Sequence, residues 1–143
     1  AFSRMIIGYV LSPTLEAKYT IEALQQAISH AGGGNLCGTI HHSDRGVQYC
    51  CDEYITLLKD HHIRISMTED SNPTDNGMAE RVNGIIKNEF LEPLQTPKNL
   101  LEALPLVDHA VRTYNTLRPH LNLNMRTPAQ VYEENNNFQK LKV

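Results

Sequence analysis

The chain has 143 residues and a mass of 16.2 kDa, with 41% hydrophobic residues, which favours one globular domain over a disordered, collagen-like or coiled-coil protein. Its formal net charge of −3 argues against a protein that holds nucleic acid by charge alone. No apolar run approaches the ~20 residues of a membrane span, and residues 1–10 lack a signal-peptide pattern. Since three cysteines cannot all pair, we expect a reducing, cytoplasmic location. Because the chain begins with Ala1, we expect a processed chain or a piece of a longer one.

Predicted strands and helices alternate along the first part of the chain. The β-branched and aromatic residues of Arg4–Leu11 predict a buried strand, and Ser12-Pro13-Thr14 is expected to end it and cap a helix. Apolar residues at helical spacing over Ala17–Ala31 predict that helix, which Gly32-Gly33-Gly34 should end. A second strand is predicted around Gly38–His42.

A polar turn, a helix and a third strand are predicted next. The turn covers Ser43–Gly46, and the helix covers Asp52–His61 with Tyr54, Leu57 and Leu58 facing inward. Apolar and polar residues alternate over Ile63–Met67, which is the period of a half-buried strand. The following stretch, Thr68–Gly77, reads as a long polar loop, and such loops often carry function.

The last part of the chain is predicted to be helical. A helix is expected from Met78 to about Leu91, and a long helix is expected after Thr96-Pro97, with a kink or a restart at Pro105. Thr127-Pro128 should begin a short helix near Ala129–Glu134. We expect one domain over residues 1–135 and a frayed tail over 136–143, and the alternation of strands and helices indicates an α/β fold.

Two carboxylates stand at positions where catalytic groups commonly lie. Asp44 follows a predicted strand, and Glu80 falls in the first turn of a predicted helix. The carboxyl ends of strands gather catalytic groups in α/β sheets, and Mg²⁺ takes one or two carboxylates together with water and phosphate. The residues alone leave other roles open, because Asp is common in turns and Glu complements a helix dipole.

Four segments together resemble the catalytic core of insertion-sequence transposases related to retroviral integrases. They are Phe2-Ser3-Arg4, His42-Ser43-Asp44-Arg45-Gly46, Asp75-Asn76-Gly77-Met78-Ala79-Glu80, and Tyr114-Asn115 with Arg118-Pro119-His120 and Arg126-Thr127-Pro128. The resemblance implies a ribonuclease H-like fold and Mg²⁺- or Mn²⁺-dependent DNA strand cleavage and joining by an Asp-Asp-Glu triad. Asp44 matches its second carboxylate and Glu80 its third, so both are expected to be catalytic metal ligands.

The start of the chain departs from the family pattern. The family's first Asp lies on the first strand of the sheet, whereas no acidic residue precedes Glu16 here. We therefore expect a mixed sheet, truncated at its N-terminus and flanked by helices, that lacks about two strands and the first carboxylate. Two carboxylates should hold a metal only weakly, so the isolated chain is expected to be inactive in transposition. The open sheet edges are expected to be covered in a homo-oligomer, by strand exchange.

The sequence is also compatible with other functions. The basic residues nearest the motifs are candidate contacts to DNA phosphates: Arg45, Arg81, Lys87 and Arg118. A zinc site is disfavoured because no Cys-x-x-Cys occurs, and the adjacent Cys50 and Cys51 would diverge. The main alternative to a transposase enzyme is a non-catalytic remnant that binds DNA or associates with itself, and a ribonuclease H-type nuclease is a weaker third.

Overall fold

The computed structural model of the chain describes residues 2–68, 77–92 and 97–140, with side chains described as far as residue 135. The chain divides into two compact units. The first, Ile7–Arg81, is called the sheet unit below. The second, Ala1–Ile6 together with Val82–Val143, is called the helical unit.

Short strands and longer helices alternate only in the sheet unit. The elements, in chain order, are α1 (Ala17–His30), β1 (Ile40–Ser43), α2 (Asp52–Asp60), β2 (Arg64–Met67), α3 (Gly77–Ile85), a π-helical turn (Ile86–Leu91), α4 (Leu100–Thr116), a 3₁₀ turn (Leu121–Leu123) and α5 (Pro128–Lys140). No helix in the described part of the chain is long and apolar enough to cross a membrane.

The sheet unit packs α1 and α2 over a parallel pair of strands. β1 and β2 pair in register from Ile40 opposite Arg64 to Ser43 opposite Met67, and α2 forms the connection between them. Apolar side chains from both helices and from the residue just before β2 form its core: Ile21, Leu24, Ile28, Tyr54, Leu58 and Ile63. The predicted inward face of α2 is confirmed, because Tyr54 and Leu58 are buried and Leu57 packs against them.

The predicted strand over Arg4–Leu11 is wrong for the described residues. No strand forms there, and the sheet is a parallel pair rather than a mixed sheet. The reason is that side chains bond the backbone of this segment in place of a neighbouring strand. Asn115 bonds both backbone groups of Ile6, and the Tyr9 N–H donates to Gln26 Oε1 at 3.2 Å.

The end of α1 follows the prediction, whereas its start differs. Ala31 caps the helix, and Gly32 and Gly33 take positive φ angles of 102° and 69°, which glycine adopts without strain. At the start, Glu16 is the cap residue, and its side chain makes no capping hydrogen bond. Thr14 does not cap the helix because it lies two residues before the cap position, and its hydroxyl donates to the Glu16 carboxylate at 2.7 Å.

Helix α4 begins later than predicted and does not restart at proline. Asn99 is its cap and accepts a hydrogen bond from the Glu102 N–H at 3.0 Å, whereas Thr96 lies outside the described residues. Pro105 lies inside the uninterrupted helix, where it removes one backbone donor. The buried side chains lie on the later turns: Ala110, Val111, Tyr114 and Asn115.

Helix α5 starts as predicted and runs further than predicted. The Gln130 N–H donates to Thr127 Oγ1 at 3.3 Å, and the Thr127 N–H donates to Gln130 Oε1 at 2.9 Å, which is a reciprocal capping box. The helix continues to Lys140, past the predicted end near Glu134, because no glycine or proline interrupts it. Residues 141–143 lie outside the described part.

The predicted helix over Met78–Leu91 is confirmed, with a change of geometry. It is α-helical to Ile85 and then π-helical over Ile86–Leu91, a difference that spacing alone does not reveal. Most of the predicted loop before it, residues 69–76, lies outside the described residues.

Candidate active site

Asp44 lies directly after β1, at the carboxyl end of the strand. Its Oδ1 accepts a hydrogen bond from the Gly46 N–H at 2.9 Å, which is an Asx turn that orients the carboxylate. The side chain is exposed, and within the described residues its other oxygen has no hydrogen-bond partner. The turn therefore leaves one carboxylate oxygen open to a ligand.

An aromatic cluster packs close to the Asp44 turn. It consists of His41, Tyr49 and Tyr54, with ring centroids 5.5 Å apart for His41–Tyr54 and for Tyr49–Tyr54. The Tyr54 hydroxyl bonds His41 Nε2 at 2.9 Å, which joins β1 to α2. Burial raises the pKa of Tyr49, and the Asp44 charge raises it further, so Tyr49 lies within the field of this carboxylate. No motif pointed to this cluster, since only Tyr54 was predicted to face inward.

Two histidines give the protein a predictable dependence of stability on pH. Burial lowers the pKa of His41 below the ordinary 6.5, and burial with the nearby Arg118 lowers that of His120. The unfolded chain therefore binds protons more readily than the folded chain. The stability that the two neutral histidines contribute is fully present above their ordinary pKa, and it is lost as pH falls through their lowered pKa values. We expect urea denaturation to give a smaller free energy of unfolding at about pH 5 than at about pH 7.5. His41→Phe should reduce this difference, and an equal or larger free energy at the lower pH would contradict it.

Glu80 lies in the first turn of α3 and is exposed. Within the described residues it makes no hydrogen bond or ion pair, so its carboxylate oxygens are open to a ligand. Asp44 and Glu80 belong to the same unit, and no hydrogen bond or ion pair joins them there. Over the described ranges, no group of three or more His, Cys, Asp and Glu side chains is placed to hold a metal ion.

The basic residues predicted to contact DNA differ in their surroundings. Arg45 follows Asp44, and the side chains of Arg45, Arg81 and Lys87 are exposed and form no ion pair among the residues that the structure describes. Arg118 is half-buried and binds the Glu89 carboxylate through two hydrogen bonds, of 2.6 and 2.7 Å. The first three are open to a polyanion, whereas Arg118 already has an anionic partner.

Solved structures share this architecture. The catalytic core of BIV integrase, at 20% identity, superposes with a TM-score of 0.68 over 96% of this chain and 84% of that one. The HTLV-2 integrase catalytic core domain in complex with magnesium, in a dimeric form, is 26% identical, with a TM-score of 0.63 over 87% of this chain and 74% of that one. The fold is thus that of the ribonuclease H-like integrase cores, as expected from the sequence.

Family models and relatives agree with this class. Residues 1–73 match one model of the integrase core domain, and residues 61–128 match a second. The transposase for insertion sequence element IS629 of Shigella sonnei is 33% identical over 90 residues, 63% of this chain and 29% of that protein. Transposase InsF for insertion sequence IS3fB of Escherichia coli is 28% identical over 134 residues, 94% of this chain and 46% of that protein. The chain belongs to the integrase core domain family, and it spans less than half the length of these curated relatives.

Proposed function

We propose that this chain forms part of the catalytic core of an insertion-sequence transposase, in which Asp44 and Glu80 bind Mg²⁺ or Mn²⁺ during DNA strand cleavage and strand transfer. The observation that supports it most is the Asp44 carboxylate, oriented by the Gly46 N–H at the carboxyl end of β1 with one oxygen free. Family membership supplies the reaction class, since relatives matching this chain are described as transposases.

The donor chemistry fits a hard divalent cation. Asp44 and Glu80 offer carboxylate oxygens without competing ion pairs in the described residues, and Mg²⁺ commonly uses one or two carboxylates with water and substrate phosphate. When bound, such an ion polarises a phosphodiester and lowers the pKa of bound water. The magnesium complex described for the HTLV-2 integrase core supports the same choice of metal here.

The proposed partners are DNA and further copies of the chain. Arg45 and Arg81 adjoin the two carboxylates in sequence, and Lys87 lies further along the same helical run, so all three are proposed to bind DNA phosphates near the metal. Both outer edges of the β1–β2 pair lack a neighbouring strand among the described residues, which supports association through an edge. Dimeric and trimeric forms are described for the HTLV-2 core, which favours a homo-oligomer.

The test uses the open reading frame that encodes this chain, expressed whole. Asp44→Asn and Glu80→Gln are each expected to lower Mg²⁺-dependent strand transfer about a thousandfold or more, because each removes a charged metal ligand. The matched controls are Asp52→Asn and Glu53→Gln, since both residues are exposed acids in the first turn of α2. These controls should keep full activity.

Binding of Mn²⁺ gives a second measurement on the same four variants. Paramagnetic broadening of backbone resonances around residues 44 and 80 should disappear in Asp44→Asn and Glu80→Gln and persist in the controls. If all four variants transfer strands and bind Mn²⁺ equally, the two residues are not the metal ligands. If the unsubstituted protein binds DNA or associates with itself without cleaving, it is the non-catalytic remnant.

A further inference from the structure

An ion pair joins the π-helical turn to the segment that follows α4. Glu89 lies in the turn, and Arg118 lies just after the end of α4. Arg118 Nε donates to Glu89 Oε2 at 2.7 Å, and Arg118 Nη2 donates to Glu89 Oε1 at 2.6 Å. This bidentate geometry is the strong form of an arginine–carboxylate pair, and both residues belong to the helical unit.

The Arg118 side chain is held by its surroundings as well as by Glu89. Its Nη1 lies 3.4 and 3.5 Å from the two ring nitrogens of His120, and that ring packs edge-on against Tyr114 with centroids 5.0 Å apart. Tyr114 and His120 are buried, at 0% and 5% exposure. The guanidinium thus lies against a buried, packed ring, and because its planar fork is preorganised, less entropy is lost for each hydrogen bond that it forms.

The electrostatics agree with a stable pair. The Arg118 guanidinium holds the pKa of the Glu89 carboxyl below its usual range, mainly through the hydrogen bonds. Burial and Arg118 lower the pKa of His120, so its ring stays neutral beside the guanidinium near neutral pH. The Arg118 guanidinium therefore contacts one carboxylate, that of Glu89, and one neutral imidazole, that of His120.

The anchored residue and the candidate metal ligand share one helical run. Glu80 and Glu89 both lie between Gly77 and Leu91, nine residues apart. Glu89 lies in the π-helical part of this run, and such turns frequently mark functional sites. Pairing Glu89 thus ties the helical run that carries Glu80 to the segment after α4.

We propose that Arg118 is a positioning residue for Glu80, which acts by anchoring the helix of Glu80 through Glu89, and is not a contact to DNA phosphate. The Arg118–Glu89 ion pair, called the anchor below, does not depend on the proposed function. Its effect on metal binding rests on the proposed role of Glu80 as a metal ligand. This gives Arg118 a different role from the one that the sequence predicted.

Exchanging the two charges separates a positioning pair from a DNA contact. In the whole open reading frame, Arg118→Glu and Glu89→Arg should each lower strand transfer up to about a hundredfold, since small misplacements of catalytic groups cost that much. The double variant rebuilds the pair and should recover most of the activity. If Arg118 binds phosphate, the double variant stays as weak as Arg118→Glu, because a carboxylate there repels DNA, and the proposal is overturned.

The dependence on Mg²⁺ separates positioning from a general loss of folding. Each single variant should raise the Mg²⁺ concentration at half-maximal rate, and the double variant should restore it. Fewer folded molecules would lower the maximal rate and leave that concentration unchanged, which would overturn the proposal. The control is the exposed pair Glu16–Lys18, whose charge exchange should change neither quantity.

Two measurements on the 143-residue chain need neither metal nor activity. In Arg118→Gln, the pKa of Glu89 should rise toward its ordinary value, and amides of Gly77–Leu91 should exchange hydrogen faster. Unchanged values would overturn the anchor. If Glu80→Gln leaves strand transfer intact, the proposed function fails, and these two measurements still decide whether the anchor exists.

Discussion

Replacing Gly8 with alanine is expected to lower the free energy of unfolding by about 3 kcal/mol, at the upper end of the usual cost of overpacking. Gly8 lies against α1, where an added Cβ would come within 2.2 Å of the Ala23 carbonyl oxygen and 2.9 Å of the Ala27 N. Both atoms belong to the backbone of a helix, so the clash cannot be relieved by a side-chain rotation. The segment or the helix would have to move. Urea denaturation of the purified chain measures the effect.

The matched control for this variant is Gly34→Ala. Gly34 has no atom within 4 Å of an added Cβ, and its φ lies outside the strained positive range. This substitution should be neutral or slightly stabilising, because it reduces the entropy of the unfolded chain. Equal free energies for the two variants would contradict the close packing of Gly8 on α1.

Replacing Asn115 with leucine is expected to cost about 2 kcal/mol or more, because two backbone groups lose their partners. The Ile6 N–H donates to Asn115 Oδ1 at 3.0 Å, and Asn115 Nδ2 donates to the Ile6 carbonyl at 2.9 Å. Asn115 is buried at 7% exposure, so leucine would keep most of the volume and remove both bonds. The amide of Ile6 should also exchange hydrogen faster, which can be followed by NMR.

An exposed asparagine tests whether the effect is specific. Asn122 lies on the 3₁₀ turn with its side chain in solvent, so Asn122→Leu should leave both the stability and the exchange of the Ile6 amide unchanged. If Asn115→Leu is as stable as the unsubstituted chain, water or a rearranged backbone satisfies Ile6, and the side-chain pairing is not needed.

Helix positions could be predicted where the signals are local. Local signals determine α1: the spacing of Ile21, Leu24 and Ile28, and the glycines after His30. A helix forms its backbone hydrogen bonds between residues of its own segment, and it ends where glycine adopts the left-handed conformation without strain. The Thr127-Pro128 signal likewise predicted the start of α5, because a capping box involves residues three apart. The positions of Asp44 after a strand and of Glu80 in a first turn followed from the motifs, although their role as metal ligands stays a prediction.

Tertiary contacts decided the features that local pattern could not. Arg4–Leu11 has the composition of a strand, but a strand needs a neighbour, and here Asn115, 109 residues further along, bonds Ile6 instead. The sequence does not distinguish Gly8 from other glycines, and only the folded structure shows that α1 packs closely against it. The Arg118–Glu89 pair joins residues 29 apart, and no spacing rule connects them.

By itself, the sequence determined the family and the helices whose hydrogen bonds and caps lie within a few residues. Only the tertiary structure decided which backbone groups of the first segment find side-chain partners, and which cation is already paired with an anion. The physical reason is that local bonds depend on residues a turn apart. Packing and ion pairs depend on distances between residues that the chain brings together only when it folds.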